Sequence, residues 1–273
     1  MQSRQFQFYI VPTPIGNIRD ITLRAIDTLK NVDLIACEDT RVTQKLLNHY
    51  NITTKCISYH KYNERERVNF FLNELKEGKS IALVSDAGTP MICDPGNVII
   101  EALRKENIAI TALPGASAVT TFLSQITRCG EEFTFIGFIP RGEKQIQETV
   151  KKYSSNNFIF YDSPERILKT LKIIQNIRGD IKISLGRELS KLFEEIITDS
   201  ISCVLKHFEN GIKGEIVCMV YAANNNSSIE LDFKVQELRT KGFKAKEIAV
   251  ILSTLYNLNK NDIYKQVLEL IGS

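Results

Sequence analysis

Tryptophan is absent from the 273-residue sequence, and there are only three histidines and six cysteines. No two cysteines form a CxxC pair. Because a structural zinc site needs several closely spaced Cys or His ligands, no metal partner is expected. The cysteines are interpreted as reduced, mostly buried small apolar residues.

Long apolar runs are also missing, since no stretch approaches the ~18 residues of a membrane span. Residues 1–14 lack the apolar core and small-residue cleavage site of a signal peptide. We therefore expect a cytoplasmic protein with no membrane partner. The net charge of +3 permits a nucleic-acid partner without requiring one. Hydrophobic residues at 43% and charged residues at 25% are typical of a folded globular chain.

Two common nucleotide-binding motifs are not present. Gly78-Lys79-Ser80 looks like the end of a P-loop, but Asn73 stands where the first glycine is needed. No GxGxxG sequence occurs anywhere. A P-loop, a Rossmann dinucleotide site and the usual glycine loop of Rossmann-like methyltransferases are therefore unsupported.

The order of predicted elements indicates an α/β protein. Strands alternate with helices over residues 1–125, which predicts a mostly parallel sheet covered by helices. Residues 133–221 predict a second α/β unit with antiparallel pairings, in which 198–205 form a strand or a short helix. Short helices follow a polar linker at 224–228, and residues 242–249 resemble a small helix-turn-helix. The predicted domains are a mostly parallel α/β domain (1–128), a mixed-sheet α/β domain (129–224) and a helical C-terminal extension (229–273).

Ligands of open α/β sheets bind where strands end, so the loops 12–17, 38–41, 85–93 and 114–117 are the candidate sites. Two of these loops consist of small residues. Gly88, in the 85–90 loop, allows a ligand to lie close to the backbone, and Pro114 to Ala118 form the second loop directly after a strand. Asp94 is predicted to cap the next helix, with Pro95 at its first position. Plain strand-to-helix turns are the alternative, although two such loops together favour a shared ligand site.

Charged side chains follow other strands. Glu38 and Asp39 precede Arg41, and the alternative is helix capping by Asp39 with a surface arginine. Asn63 and Arg67 lie on one face of a predicted helix and form a polar cluster with nearby His60. The alternative is that this face is only exposed to solvent. In the segment from Arg187 to Lys191, Glu188 and Lys191 are three residues apart, so they are expected to form an ion pair if that stretch is helical.

At these segments the sequence resembles the tetrapyrrole methylase-like superfamily of S-adenosylmethionine-dependent (class III) methyltransferases. The matching segments are VPTPIGN at 11–17, EDTR at 38–41, SDAGTP at 85–90, PGASA at 114–118, GFIPR at 137–141, YDSPER at 161–166, RELSK at 187–191 and KGE at 213–215. The resemblance implies two α/β domains with S-adenosylmethionine between them. It also implies cofactor contacts from Pro14, Ser85, Asp86, Ala87, Gly88, Thr89, Pro90, Ser117, Ala118, Tyr161 and Arg187.

Within the superfamily, the sequence resembles enzymes that methylate ribosomal RNA. This implies a homodimer that methylates the ribose 2′-hydroxyl of a cytidine in the decoding region of 16S rRNA, in the small ribosomal subunit. A ribose hydroxyl is a poor nucleophile, so a base or a cation must assist it. The candidates for this role are Glu38, Asp39, Glu188 and Lys191.

RNA contacts are predicted from basic and polar side chains: Arg41, His60, Arg67, Arg141 and Lys144, with Lys241, Lys244 and Lys246 in the extension. Two alternatives remain. One is a methylase of a small molecule such as a tetrapyrrole, although Thr89 stands where the tetrapyrrole enzymes of the superfamily usually carry an aspartate. The other is a non-catalytic RNA-binding factor that kept the fold.

Overall fold

A computed structural model describes residues 6–127, 132–222, 234–255 and 259–272. The predicted boundary at 128/129 and the predicted linker at 224–228 lie outside the described residues.

The first sheet is entirely parallel and has the strand order β3-β2-β4-β1-β5. Every residue of β2 and β4 is buried, which explains their continuous apolar sequences. The predicted mostly parallel α/β architecture is confirmed. The strands are β1 (Phe8–Ile10), β2 (Leu34–Cys37), β3 (Lys55–Ser58), β4 (Ile81–Val84) and β5 (Ile110–Ala112).

Helices cover both faces of this sheet, above two separate apolar clusters. Polar caps fix two of their starts, since the Thr22 side chain accepts from the Ala25 N–H and the Asp39 side chain from the Arg41 N–H. The helices are α1 (Leu23–Asn31), α2 (Thr40–His49), α3 (Glu64–Lys76), α4 (Asn97–Lys105) and α5 (Ala118–Leu123).

The predicted start of α4 is wrong. Gly96 is the N-cap, and neither Asp94 nor Pro95 belongs to the helix. The Gly96 N–H donates to a carboxylate oxygen of Glu64 on α3 at 2.8 Å. This contact between two helices replaces the local cap that the sequence predicted, and it leaves Asp94 outside the helix.

The second sheet is mixed, with the order β6-β7-β10-β8-β9. Only β6 and β7 pair in parallel, and the other neighbours are antiparallel, as predicted. The 198–205 segment contains both predicted alternatives, the end of a strand and a short helix. The elements are β6 (Thr134–Phe138), α6 (Glu143–Lys152), β7 (Phe158–Asp162), α7 (Ile167–Arg178), β8 (Lys182–Arg187), β9 (Glu195–Ser200), α8 (Ile201–His207) and β10 (Ile216–Val220).

One apolar cluster joins the two units. Ile15, Val119 and Phe122 from the first unit pack with Ile159 and Val217 from the second. Burial of these side chains holds the carboxyl ends of the first sheet against one face of the second. This apolar cluster therefore forms the interface between the two sheets.

The C-terminal residues form helices α9 (234–240), α10 (Ala245–Leu255) and α11 (Lys260–Gly272). They surround a core of their own, and this core is separate from the clusters of the two sheets. Its buried members are Val235, Ile248, Ala249, Leu252, Ile263 and Val267.

The cysteines differ in part from the prediction. Cys37 and Cys218 are buried, but Cys93 and Cys203 are exposed, and Cys129 lies outside the described residues. Within the described ranges, no cluster of His, Cys, Asp or Glu is arranged to hold a metal ion. No helix in that part of the chain is long and apolar enough to cross a membrane.

Candidate active site

Three loops at the strand ends of the first sheet are tied together by hydrogen bonds. Thr13 and Gly88 exchange backbone N–H···O bonds of 2.9 and 3.0 Å, and the Thr13 hydroxyl donates to the Ser85 carbonyl at 3.0 Å. The Thr89 hydroxyl donates to the Ala116 carbonyl at 3.0 Å. The loops 12–17, 85–90 and 114–117 therefore form one connected surface rather than three independent turns.

Gly88 is required at the centre of this surface. Its φ of +77° lies in the left-handed region, where a side chain is disfavoured. A Cβ atom at this position would stand 3.3 Å from Cγ2 of Ile15. The loop can therefore adopt this conformation, and reach this close to the 12–17 loop, because position 88 has no side chain.

A cavity of about 420 Å³ lies between these loops and the second sheet. Its volume suits one small-molecule ligand. Seven of the predicted cofactor residues line it: Asp86, Ala87, Gly88, Thr89, Ser117, Ala118 and Tyr161.

Four predicted cofactor residues are not among those lining the cavity. Ser85 and Pro90 are buried and Pro14 is half-buried within the loops. Arg187 donates from Nε to a carboxylate oxygen of Glu195 at 2.7 Å.

Other lining residues were not predicted as contacts. Phe138, Ser163, Pro164, Leu189 and Glu215 fall within segments that carry the family resemblance, but nothing in the sequence alone marks these residues rather than their neighbours. Ile92 and Cys93 lie in the predicted site loop 85–93, although the prediction did not name them as contacts. The remaining unpredicted lining residues are Ile15, Asp94, Asp162, Gly214, Ile216 and Val217.

The cavity is acidic. Burial raises the pKa of the Asp94 carboxyl, nearby Asp86 raises it further, and Ser85 partly offsets this. Burial also raises the pKa of Asp86. No Lys, Arg or His is found among the described lining residues. A bound cation would therefore meet acidic lining residues directly, and the nearest positive side chains, such as Lys191 and Arg166, stand behind the lining and pair with Glu215 and Asp162.

Glu38 and Asp39 lie behind this wall, and their pKa values shift in opposite directions. Burial, followed by the charges of Asp86 and Asp94, raises the pKa of Glu38. Hydrogen bonds from Arg41 lower the pKa of Asp39 to about 2. Asp39 also caps α2, and Arg41 lies on the surface. The structure therefore has the helix cap and the surface arginine that were predicted as the alternative to a catalytic role.

Glu188 and Lys191 do pair, although their segment is not helical. The Lys191 Nζ lies 2.9 Å from Glu188 and 3.2 Å from Glu215, which lines the cavity. Glu188 and Ser190 have φ values of +51° and +66°, unusual for residues with side chains. The expectation that this pair requires a helix is therefore wrong. A strained loop brings the two charges together instead.

Lys191 remains a cation in this arrangement. Burial lowers the pKa of its ammonium group, but Glu188 and Glu215 outweigh that effect and hold the pKa above its ordinary value. The Lys191 hydrogen bond lowers the pKa of Glu188, and so does the Glu215 N–H. Lys191 therefore keeps its proton, and Glu188 is a carboxylate that accepts a proton less readily than an ordinary glutamate.

Apart from the lysines of the C-terminal helices, the predicted RNA contacts lie on the two sheet units. Arg41 is exposed and paired with Asp39, while Arg141 and Lys144 are exposed beyond the end of β6. His60 and Arg67 are half-buried, and His60 Nδ1 and Arg67 Nε have no hydrogen-bond partner among the described residues.

Comparison with known proteins agrees with this geometry. Residues 7–204 match the family model of the Tetrapyrrole (Corrin/Porphyrin) Methylases. The Vibrio cholerae protein named ribosomal RNA small subunit methyltransferase I is 39% identical, over 97% of this chain and 95% of its own length. Its namesake in Halalkalibacterium halodurans is 40% identical, over 94% of this chain and 92% of its own.

Solved structures share the fold at low sequence identity. Diphthine synthase is 13% identical with a TM-score of 0.61, over 82% of this chain and 93% of its own. A uroporphyrin-III C-methyl transferase from Thermus thermophilus, solved with S-adenosyl homocysteine, is 14% identical with a TM-score of 0.55, over 78% and 96%. The chain belongs to the tetrapyrrole methylase family, in the branch that contains the ribosomal RNA small subunit methyltransferase I proteins.

Proposed function

We propose that this chain transfers a methyl group from S-adenosylmethionine to the small-subunit ribosomal RNA, at the 2′-hydroxyl of a cytidine in the decoding region of 16S rRNA. The observation that carries the proposal is the acidic cavity between the two sheets, lined by loops of the family. It occurs in a chain about 40% identical, over nearly its whole length, to relatives that carry this name.

The cavity suits the cofactor in both shape and charge. The small residues of the 85–90 and 117–118 segments allow an adenosine-sized ligand to lie against the backbone. When bound, S-adenosylmethionine supplies a methyl group on a positively charged sulfur. Asp86 and Asp94 give the cavity carboxylates of the opposite charge, while the charge of Glu215 is shared with Lys191.

Among the four candidates for activating the hydroxyl, Lys191 is best placed. It lies 3.2 Å from Glu215 in the cavity wall and stays charged, so it can stabilise the oxyanion that forms as the 2′-hydroxyl releases its proton to solvent water. Glu188 holds Lys191 in position. Glu38 acts on the charge of the cavity from behind Asp86 and Asp94, and Asp39 supports α2.

The remaining assignments follow from the substrate. Arg141 and Lys144 lie just beyond Phe138 in the cavity wall, which suits phosphate contacts beside the acceptor. A ribosomal substrate places the reaction in the cytoplasm. The homodimer is a prediction that sedimentation of the purified protein would check.

The test is transfer of labelled methyl groups from S-adenosylmethionine to small ribosomal subunits that lack the modification, followed by nucleoside analysis. Label in 2′-O-methylcytidine is the expected result. Label in another nucleoside would contradict the proposed position. Label only in an added porphyrinogen would favour a small-molecule methylase, and failure of the folded protein to bind the cofactor would favour a non-catalytic RNA-binding factor.

A further inference from the structure

Phe138 is the exposed aromatic residue among the described residues that line the cavity. Its side chain is 64% exposed; Ile92 is also exposed, at 52%, whereas Ile15, Leu189 and Val217 are all under 9% exposed. A single exposed apolar side chain is common on a protein surface, so the exposure of Phe138 matters because of where the ring lies. Its position at the mouth of a ligand cavity indicates what kind of partner covers it.

The backbone directs Phe138 to this position. From Phe135 to Phe138, β6 advances three residues while its partner β7 advances two, from Ile159 to Tyr161. Gly137, with a φ of +71°, forms this bulge. A bulge changes the side on which the following side chain points.

The consequence is that Phe135 and Phe138 lie on the same side of the sheet. In a regular strand, residues three apart point to opposite faces. Here both rings meet Tyr161 edge to face, with centroids 5.0 and 5.5 Å from the Tyr161 ring. Tyr161 thus holds the Phe138 ring in place while most of that ring stays open to solvent.

The cavity meets solvent at its exposed lining residues, among them Phe138, Ile92 and Glu215. Its volume of about 420 Å³ suits a single cofactor-sized ligand, so an acceptor must approach from the open mouth. Single-stranded RNA is recognised by stacking of unpaired bases on aromatic side chains, with nearby cations on the phosphates. Arg141 is exposed three residues after Phe138, within about 10 Å along the chain.

We propose that Phe138 stacks on the base of the acceptor nucleoside and so places its ribose at the cavity mouth. This assignment rests on the proposed function, because it requires an RNA acceptor. It identifies a specificity residue in the second unit, separate from the loops that hold the cofactor.

The experiment compares Phe138→Ala, Phe138→Leu and Phe138→Tyr. Phe138→Ala should lower kcat/KM for methyl transfer to small subunits about 10- to 100-fold, the usual effect of losing one stacking contact. Phe138→Tyr should restore most of that loss, and Phe138→Leu should restore little, because a leucine has bulk but no aromatic face. Affinity for S-adenosylmethionine should stay within about twofold in all three.

Phe193→Ala is the matched control, since that side chain is 67% exposed and does not line the cavity; it should leave kcat/KM unchanged. Full activity of Phe138→Leu would overturn the stacking assignment, and so would a parallel loss of cofactor affinity in Phe138→Ala. Absence of RNA methylation by the wild-type enzyme would instead refute the proposed function, and the assignment with it.

Discussion

Asp94 provides a carboxylate in the cavity wall that a positively charged ligand would meet. Asp94→Asn removes this charge and nearly preserves the shape. We expect S-adenosylmethionine to bind several-fold more weakly, by about 1 kcal/mol, the scale of a partly solvated charge pair. S-adenosyl homocysteine has no sulfonium and should bind almost unchanged. Titration calorimetry with both ligands measures the difference, and equal losses would show that Asp94 acts through shape.

The same substitution predicts a pH dependence of stability. Burial and Asp86 raise the pKa of the folded-state Asp94 carboxyl above 3.8, so its favourable contribution is complete below that value and is lost as pH rises through the folded pKa. Asp94→Asn should therefore raise the melting temperature at pH 7 and leave it nearly unchanged at pH 3.5. Thermal melts at both pH values check this, and a lower melting temperature at pH 7 would contradict it.

Lys191 supplies the residue-scale test of the chemistry. Lys191→Met should lower kcat about 100-fold, the usual effect of removing one group that stabilises developing negative charge. Cofactor affinity should change little. Lys213→Met, at an exposed lysine two residues before Glu215, is the matched control. If both variants keep wild-type kcat, the role assigned to Lys191 is wrong.

At the scale of elements, the 85–90 loop has a left-handed backbone conformation at Gly88 and also lines the cavity. Gly88→Ala should cost about 1–2 kcal/mol through its left-handed φ and should also weaken cofactor binding, because its Cβ crowds Ile15. Gly211→Ala separates the two effects: Gly211 has a φ of +98° with nothing near its Cβ position. It should lose similar stability in urea unfolding and keep full cofactor affinity. Loss of affinity in both would indicate a general effect of instability.

The elements themselves could be predicted where the pattern is local. The apolar runs of β2 and β4 and the Asp39 cap of α2 are features of adjacent residues, and the structure has them as the sequence indicates. The start of α4 could not be predicted, because the Glu64 carboxylate that binds the Gly96 N–H comes from another helix. The non-helical path of residues 188–191 likewise depends on a distant contact, the hydrogen bond from Ser190 Oγ to Asp20.

At the scale of the whole molecule, the C-terminal helices offer a test of RNA contact. Lys244 and Lys246 are exposed and form no ion pair among the described residues, whereas Lys234 and Lys241 both pair with Glu237. The double variant Lys244→Gln/Lys246→Gln should weaken RNA binding and reduce the slope of log affinity against log salt by roughly 1.4, about 0.7 for each phosphate contact. Binding titrations at several salt concentrations measure the slope.

Lys234→Gln/Lys241→Gln is the matched control, with the same loss of charge from the same group of helices. We expect a smaller change in slope, because Glu237 already neutralises part of that charge. Equal changes in the two double variants would mean that net charge matters and that individual lysines do not.

The cavity could be predicted only in part at this scale. The alternation of strands and helices indicates two α/β units, and strand ends indicate which loops of the first unit hold a ligand. The opposite wall, from Phe138 to Val217, depends on how the second sheet packs against the first through Ile159 and Val217. That packing joins residues that are far apart in sequence, such as Ile15 with Ile159 and Val217, and no local pattern records it.

The exposed ring at the cavity mouth also has a spectroscopic consequence. The chain contains no tryptophan. Phe138→Trp would therefore introduce a single indole whose emission is free of background from other indoles, with its ring already largely in solvent and beside Tyr161. Because the natural sequence has no tryptophan, the fluorescence of this one residue would report binding of the acceptor. The rate of acceptor binding could then be measured separately from the rate of methyl transfer.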